Sequence, residues 1–344
     1  MFASKFWKQP CRILGTAAAV MLLSADLTLS APQKPSGGGT GGGTIYFENS
    51  PTFTTMNSDG SGKTPLPILG GEPSYALHGG RRWFLGTREI IGATYPNGTT
   101  RHELFAYSDD GAANVQLTNQ PDLQADSGGG TTRWTRTDGV VSWIARRWDP
   151  VTGMVVNGGI YAAGVSFDAN GVPGLVEQPL YPLVPLALVL SDNGSYFSGG
   201  LAPDISSHDW APDGLYIVHD RLNRAELWVA DAALGVTGRI LATNHADVPV
   251  WSPDGTRIAF GSSAGIDTIA PNGGSRNTII KWAPTYTVFS PRWSPTGSHL
   301  TYVWWDRHVL PWGGWDIYRV TANGGGKTNL TKDIGNTPVV IGWR

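Results

Sequence analysis

The chain is expected to fold as an all-β, six-bladed β-propeller with four-stranded antiparallel blades, its ring closed by the C-terminal strand. Three observations predict this. A Trp-Ser-Pro-Asp-Gly segment recurs at spacings of 41 and 42 residues. Each copy is followed by three further strand-like segments, and the two ends of the chain supply complementary parts of one such unit.

The repeat is clearest in Val250-Trp-Ser-Pro-Asp-Gly-Thr-Arg-Ile-Ala-Phe260, Arg292-Trp-Ser-Pro-Thr-Gly-Ser-His-Leu-Thr-Tyr302 and Asp209-Trp-Ala-Pro-Asp-Gly-Leu-Tyr-Ile-Val218. Weaker copies begin at Tyr75 and, with one extra residue before the turn, at Trp134, and a sixth start is Pro338-Val-Val-Ile-Gly342. In each unit the Trp closes a short first strand. Pro then presets φ for a turn, and Gly supplies the positive φ that returns the chain as a hairpin. Third strands are expected over Phe53 to Gly60, Leu104 to Gly111, Ile160 to Phe167, Leu227 to Ala232, Ile266 to Gly273 and Ile317 to Gly324. Fourth strands follow over Thr64 to Leu69, Asn114 to Asn119, Leu175 to Pro179, Arg239 to Asn244, Asn277 to Trp282 and Lys327 to Lys332.

Pro249 and Pro291, two residues before a repeat Trp, fit only an edge strand, and the innermost strand of a propeller blade is an edge facing the channel. Residues 45 to 69 provide a second, third and fourth strand without a first. Thr337 to Trp343 provide a first strand with nothing after it. Together they complete the sixth blade and leave no open sheet edge. The stretch from 134 to 210 is too long for one blade, so an inserted hairpin is expected over about 180–203, with a seventh, irregular blade as the alternative.

Outside the repeat, Lys5, Lys8 and Arg12 precede an apolar run from Ile13 to Leu23 that is too short to span a bilayer; residues 1–31 read as a secretory signal peptide. Residues 32–44 are a Gly-rich tether, and the propeller is expected over 45–344. Cleavage leaves a formal net charge of −4, from 22 basic and 26 acidic side chains, and discards Cys11, the only cysteine. A mature chain without a thiol excludes disulfides, cysteine nucleophiles and thiolate metal sites. Scattered Lys and Arg offer no grip on a phosphate backbone, so nucleic acid is not an expected partner.

These repeated units, the strand carrying Asn57-Ser-Asp-Gly60 and the C-terminal closing strand resemble the TolB-like six-bladed β-propeller family over about residues 45 to 344. The resemblance implies the fold, but not one activity. Members include periplasmic protein-binding modules, the non-catalytic propellers of prolyl-oligopeptidase-type peptidases, and some polysaccharide lyases.

Chemistry-bearing motifs are few. The nearest pattern to a nucleophile elbow, Gly164-Val-Ser-Phe-Asp168, ends in Asp inside a repeat strand, and the Gly-rich pieces fall where hairpin turns are required. Ser58-Asp-Gly-Ser-Gly62 and Ser108-Asp-Asp-Gly111 lack the oxygen set of a calcium loop. The histidines, His78, His102, His208, His219, His245, His299 and His308, show no ligand spacing on one element. His208 and His245 both enter first strands and are expected near the channel mouth with Asp247, Asp204 and Asp209. That group is the candidate site of the alternative reading, a polysaccharide-active lyase or hydrolase.

Tryptophan is more informative. Trp83, Trp134, Trp143, Trp210, Trp228, Trp251, Trp293 and Trp343 fall on repeat strands and read as packing between blades. Trp148 and Asp149, with Trp305, Asp306, Arg307, His308, Trp312 and Trp315, are expected in connections between second and third strands, on the face shared with the links between blades. Aromatic rings interspersed with Asp, Arg and His can stack on sugars or grip a peptide. The expectation is a secreted or periplasmic monomer without cofactor, metal or catalysis of its own, binding a protein, peptide or glycan partner in the envelope through that loop face.

Overall fold

The computed structural model describes residues 42–344 apart from 50–51, 68–74, 96–97, 126–130, 136–138, 154, 177–204, 222–224, 232–235, 244, 310–313 and 336–337. The expected signal peptide, most of the tether and the hairpin or seventh blade expected near 180–203 lie outside these residues. The described residues form six antiparallel sheets. The first blade is β1 (Thr44–Asn49), β2 (Thr52–Asn57) and β3 (Thr64–Leu66), with β25 (Val339–Trp343) on its inner side in the order β25-β1-β2-β3. Ile45 lies opposite Trp343, and the Thr44 and Arg344 backbones exchange hydrogen bonds. This is the ring closure that the two incomplete chain ends predict.

The second blade is β4 (Tyr75–His78), β5 (Arg81–Thr94), β6 (Thr100–Ser108) and β7 (Asn114–Gln116). The fourth is β13 (His208–Trp210), β14 (Tyr216–Arg221), β15 (Glu226–Asp231) and β16 (Val236–Ala242). The fifth is β17 (Ala246–Trp251), β18 (Ile258–Ser262), β19 (Gly265–Ile269) and β20 (Asn277–Lys281). The sixth is β21 (Tyr286–Trp293), β22 (His299–Asp306), β23 (Gly314–Thr321) and β24 (Thr328–Asn329).

The third blade departs from four strands. It holds β10 (Val140–Trp148), β11 (Val155–Phe167) and β12 (Pro173–Val176), but its inner position is shared by two pieces, β8 (Leu123–Ala125) and β9 (Thr132–Trp134). β9 covers the Val141 to Trp143 part of β10, and β8 covers Ala145 to Arg147.

The repeated turn works through side-chain oxygens as well as Pro and Gly. In the fifth blade Gly255 N donates to Ser252 O, Arg257 N donates to Ser252 Oγ at 2.9 Å, and Ser252 Oγ donates to Asp254 Oδ1 at 2.6 Å. Ser294 accepts from His299 N in the same way in the sixth blade. Gly255 has φ +71°, which a residue with a Cβ adopts only under strain. Pro249 and Pro291 lie in β-bulges of β17 and β21, each at the inner edge of its sheet. There the missing N–H costs no ladder bond, and the preceding Val248 and Ser290 take positive φ.

Six apolar clusters hold the ring, one at each junction between neighbouring blades. The Trp that ends each inner strand packs against the preceding blade: Trp134 on the second, Trp210 on the third, Trp251 on the fourth, Trp293 on the fifth and Trp343 on the sixth. All five are under 9% exposed. The junction of the first and second blades has no such Trp and is held by Tyr46, Phe53, Phe84 and Ile341.

Candidate functional site

Inner strands of a propeller run from the face carrying the connections between second and third strands to the face carrying the repeated Trp-Ser-Pro turns. The residues singled out in the sequence divide between these two ends.

At the start of the inner strands, His208 is fully buried. Its Nε2 lies 2.7 Å from Ser142 Oγ of the third blade, and that oxygen accepts from Trp210 Nε1 at 2.8 Å. Burial, with Arg133 and His219 nearby, holds the His208 imidazole well below its ordinary pKa and so neutral. His245 has a different setting. It is exposed, takes φ +71°, and its Nε2 lies 3.3 Å from Asp247 Oδ2, an interaction that raises its pKa. A Cβ at Gly261 would stand 1.8 Å from Asp247 Oδ1, so the absence of a side chain there makes room for the carboxylate.

The structure therefore places His208 in the packing between blades and leaves His245 exposed beside the partly buried Asp247 at the start of β17. Of their expected companions, Asp204 lies outside the described residues. Asp209 turns instead to the neighbouring blades, its Oδ2 accepting from Trp251 N at 2.8 Å and its Oδ1 lying 3.7 Å from Arg133 Nε. Among the described residues no group of three His, Cys, Asp or Glu side chains is placed to hold a metal ion.

Sequence reasoning missed Asp220. This buried carboxylate accepts from Ser206 N, Ser206 Oγ, Ser207 N and Ser207 Oγ at 2.6 to 3.0 Å, tying the chain ahead of β13 to β14. Desolvation raises its pKa in spite of these four donors.

At the opposite end of the channel a cavity of about 210 Å³ opens between the turns. The same five Trp residues line it, with Arg133, Asp209, Arg292, Pro253 and Pro295 among the rest. Rings read from sequence only as packing thus also form a wall.

The loop-face residues separate further. Trp148 is expected in a connection with an exposed ring. It instead ends β10, is 2% exposed, and donates from Nε1 to Gln124 Oε1 at 3.2 Å. The extra inner piece β8 covers this part of the blade, a feature with no counterpart in the other repeats. Asp149 accepts from Val151 N and Thr152 N, bonds that lower its pKa and explain it as a turn residue. Trp305 and Trp315, also expected in a connection, are strand residues facing one another on β22 and β23, with ring centroids 6.1 Å apart. Trp312 lies outside the described residues.

Around Trp305 a continuous cluster does form. Arg307 stands 5.4 Å from the Trp305 ring and 6.0 Å from that of Trp282, which follows β20 and is 43% exposed. The guanidinium is positioned by Nε and Nη2, both donating to Thr287 Oγ1. Phe289 meets Trp315 edge-on at 5.2 Å, while His308 and Val309 are exposed beside them. Trp282 was assigned to a fourth strand by sequence; its place one residue past β20, in the link between blades, brings it to the loop face.

No family model and no curated protein matches the chain. Solved structures do. The "putative TolB" of Agrobacterium tumefaciens is 17% identical over 76% of this chain and 99% of its own, with a TM-score of 0.47. The oligogalacturonate lyase of Vibrio parahaemolyticus is 11% identical over 84% and 73%, with a TM-score of 0.44. A chain of the nidogen/laminin complex is 11% identical over 88% and 97%, with a TM-score of 0.51. At these identities the likeness is one of fold alone.

Proposed function

We propose that this chain is an exported, non-catalytic propeller module that binds a protein, peptide or glycan ligand in the cell envelope. The ligand docks on the face carrying the connections between second and third strands, at the sixth blade. The observation that carries the reading is the Trp282, Arg307, Trp305 and Trp315 cluster. Two blades contribute to it, its guanidinium is fixed by Thr287, and its rings are not consumed by the core. Aromatic and Arg side chains held in this way supply most of the binding energy at recognition surfaces, because ordering them on binding costs little further entropy.

The alternative, a channel lyase or hydrolase, would draw on His208, His245 and Asp247. The burial of His208 and its bond to Ser142 argue for a structural part for that residue, which leaves His245 and Asp247 to carry such a reading. A double variant, Trp282→Ala with Trp305→Ala, is expected to lose capture of the partner from an envelope extract, or of a glycan on an array, while its melting curve stays close to that of the parent. Capture that survives the double change would remove the loop face from consideration. Turnover of an acidic polysaccharide that disappears with His245→Ala would return the function to the channel.

A further inference from the structure

The side of the sixth sheet facing the fifth blade carries a second aromatic group, separate from the Trp305 side. Tyr286 stacks on Trp304 with ring centroids 3.5 Å apart, and Trp304 and Tyr318 are tilted at 45° with centroids 5.3 Å apart. Lys327, just before β24, lays its exposed side chain along this face. Its Nζ lies 3.4 Å from the Trp304 centroid, 4.6 Å from that of Tyr318 and 5.7 Å from that of Tyr286. Among the described residues no carboxylate pairs with Lys327. Asp316 and Asp306 act on Tyr318 through their field, and Asp316 accepts a bond from Thr331 Oγ1.

A primary ammonium is poorly suited to such a place. It carries three N–H donors, and ring faces satisfy none of them as water does. Partial burial accordingly lowers the Lys327 pKa, with no counter-charge to oppose the shift. An N-methylated ammonium has no such requirement, since it presents its charge through methyl groups directly to π faces.

We propose that Trp304 and Tyr318, with Tyr286 stacked behind Trp304, form a binding site for a quaternary ammonium group, and that Lys327 is the resident cation which such a ligand displaces. The site is independent of the loop-face reading, because it uses none of the same side chains. The chemistry is shared by a free solute of the choline or betaine class and by a phosphocholine lipid headgroup.

The test is calorimetric titration of the protein with tetramethylammonium chloride and with choline chloride, against sodium chloride at the same ionic strength. Both quaternary ions are expected to bind saturably and sodium not at all. Lys327→Ala, which removes the competitor, should tighten binding by about tenfold, the size of one well-placed cation–π contact. Trp304→Ala in that background should abolish it. Should Trp304→Ala melt early, Tyr318→Leu gives the same readout with a smaller disturbance. Flotation with phosphatidylcholine vesicles assigns the ligand to a lipid headgroup, and choline binding without flotation assigns it to a free solute. Unchanged or weaker binding in Lys327→Ala, or equal heats from sodium, would overturn the proposal.

Discussion

Trp251 and Trp305 have the same side chain and opposite duties. Trp251 ends an inner strand and is 3% exposed within the cluster joining the fourth and fifth blades. Trp251→Ala should therefore cost about 3–5 kcal/mol, the usual penalty for emptying a large core position. Trp305→Ala should cost well under half as much, because one side of its ring meets Arg307 and solvent; chemical denaturation of the two variants checks this. The repeat made Trp251 legible as packing, since its position relative to Ser-Pro-Asp-Gly is shared by Trp293. Trp148 was not legible. Nothing in its own neighbourhood announces that β8 covers it. His208 gives a prediction with a sign. Its folded pKa is depressed, so the unfolded chain takes up a proton near pH 6.5 that the native state refuses, and stability falls as pH drops below that value. The limit is about 1.4 kcal/mol per pH unit. Asp220, with a raised folded pKa, pulls the other way at lower pH, so the effect is read as a difference. Between pH 7 and pH 5 the parent should lose more stability than His208→Gln, which keeps a partner for Ser142, and equal losses would mean that His208 titrates normally in the folded state.

The elements were legible where a turn signal and an alternating run occur together. β17 to β24 follow the Trp-Ser-Pro turns almost strand for strand, because Ser252 and Ser294 fix the hairpin that sets the register of all that comes after. The split inner position of the third blade was not visible, since β8 is three residues long and carries no turn motif of its own. Nor was the bulge at Pro249 and Pro291; proline predicted an edge, and the bulge adds how the strand accommodates it. β25 gives the sharpest test at this scale. It supplies the inner strand of the first blade at the junction with the sixth, with Val340 and Trp343 packed against Ile45, Phe47, Ile317 and Leu330. Deleting residues 337–344 strips the inner strand from the first blade and opens β1 as an unpaired edge. The truncated chain is expected to lose its cooperative melting transition, whereas a transition at the parental temperature would show that β25 does not close the ring.

At the scale of the whole molecule, fold and site separate. The ring was readable because each blade repeats the same solution to burying two sheet faces, so six copies reinforce one pattern. The loop-face cluster has no such redundancy. Trp282 and Arg307 lie far apart in sequence and meet only because consecutive blades are joined on that face. The two ends of the inner strands offer different chemistry, the His245 and Asp247 pair at the start of β17 and a Trp-walled cavity of about 210 Å³ between the turns, and the loop face of the sixth blade offers a third surface. Hydroxyl-radical footprinting of the protein with and without its captured envelope partner distinguishes them in one measurement. Protection of Trp282, Trp305 and His308 is expected, with Pro253, Pro295 and His245 labelled equally in both states. Protection confined to the Pro253 and Pro295 turns, or to His245, with Trp282 and Trp305 still reactive, would contradict the loop-face reading.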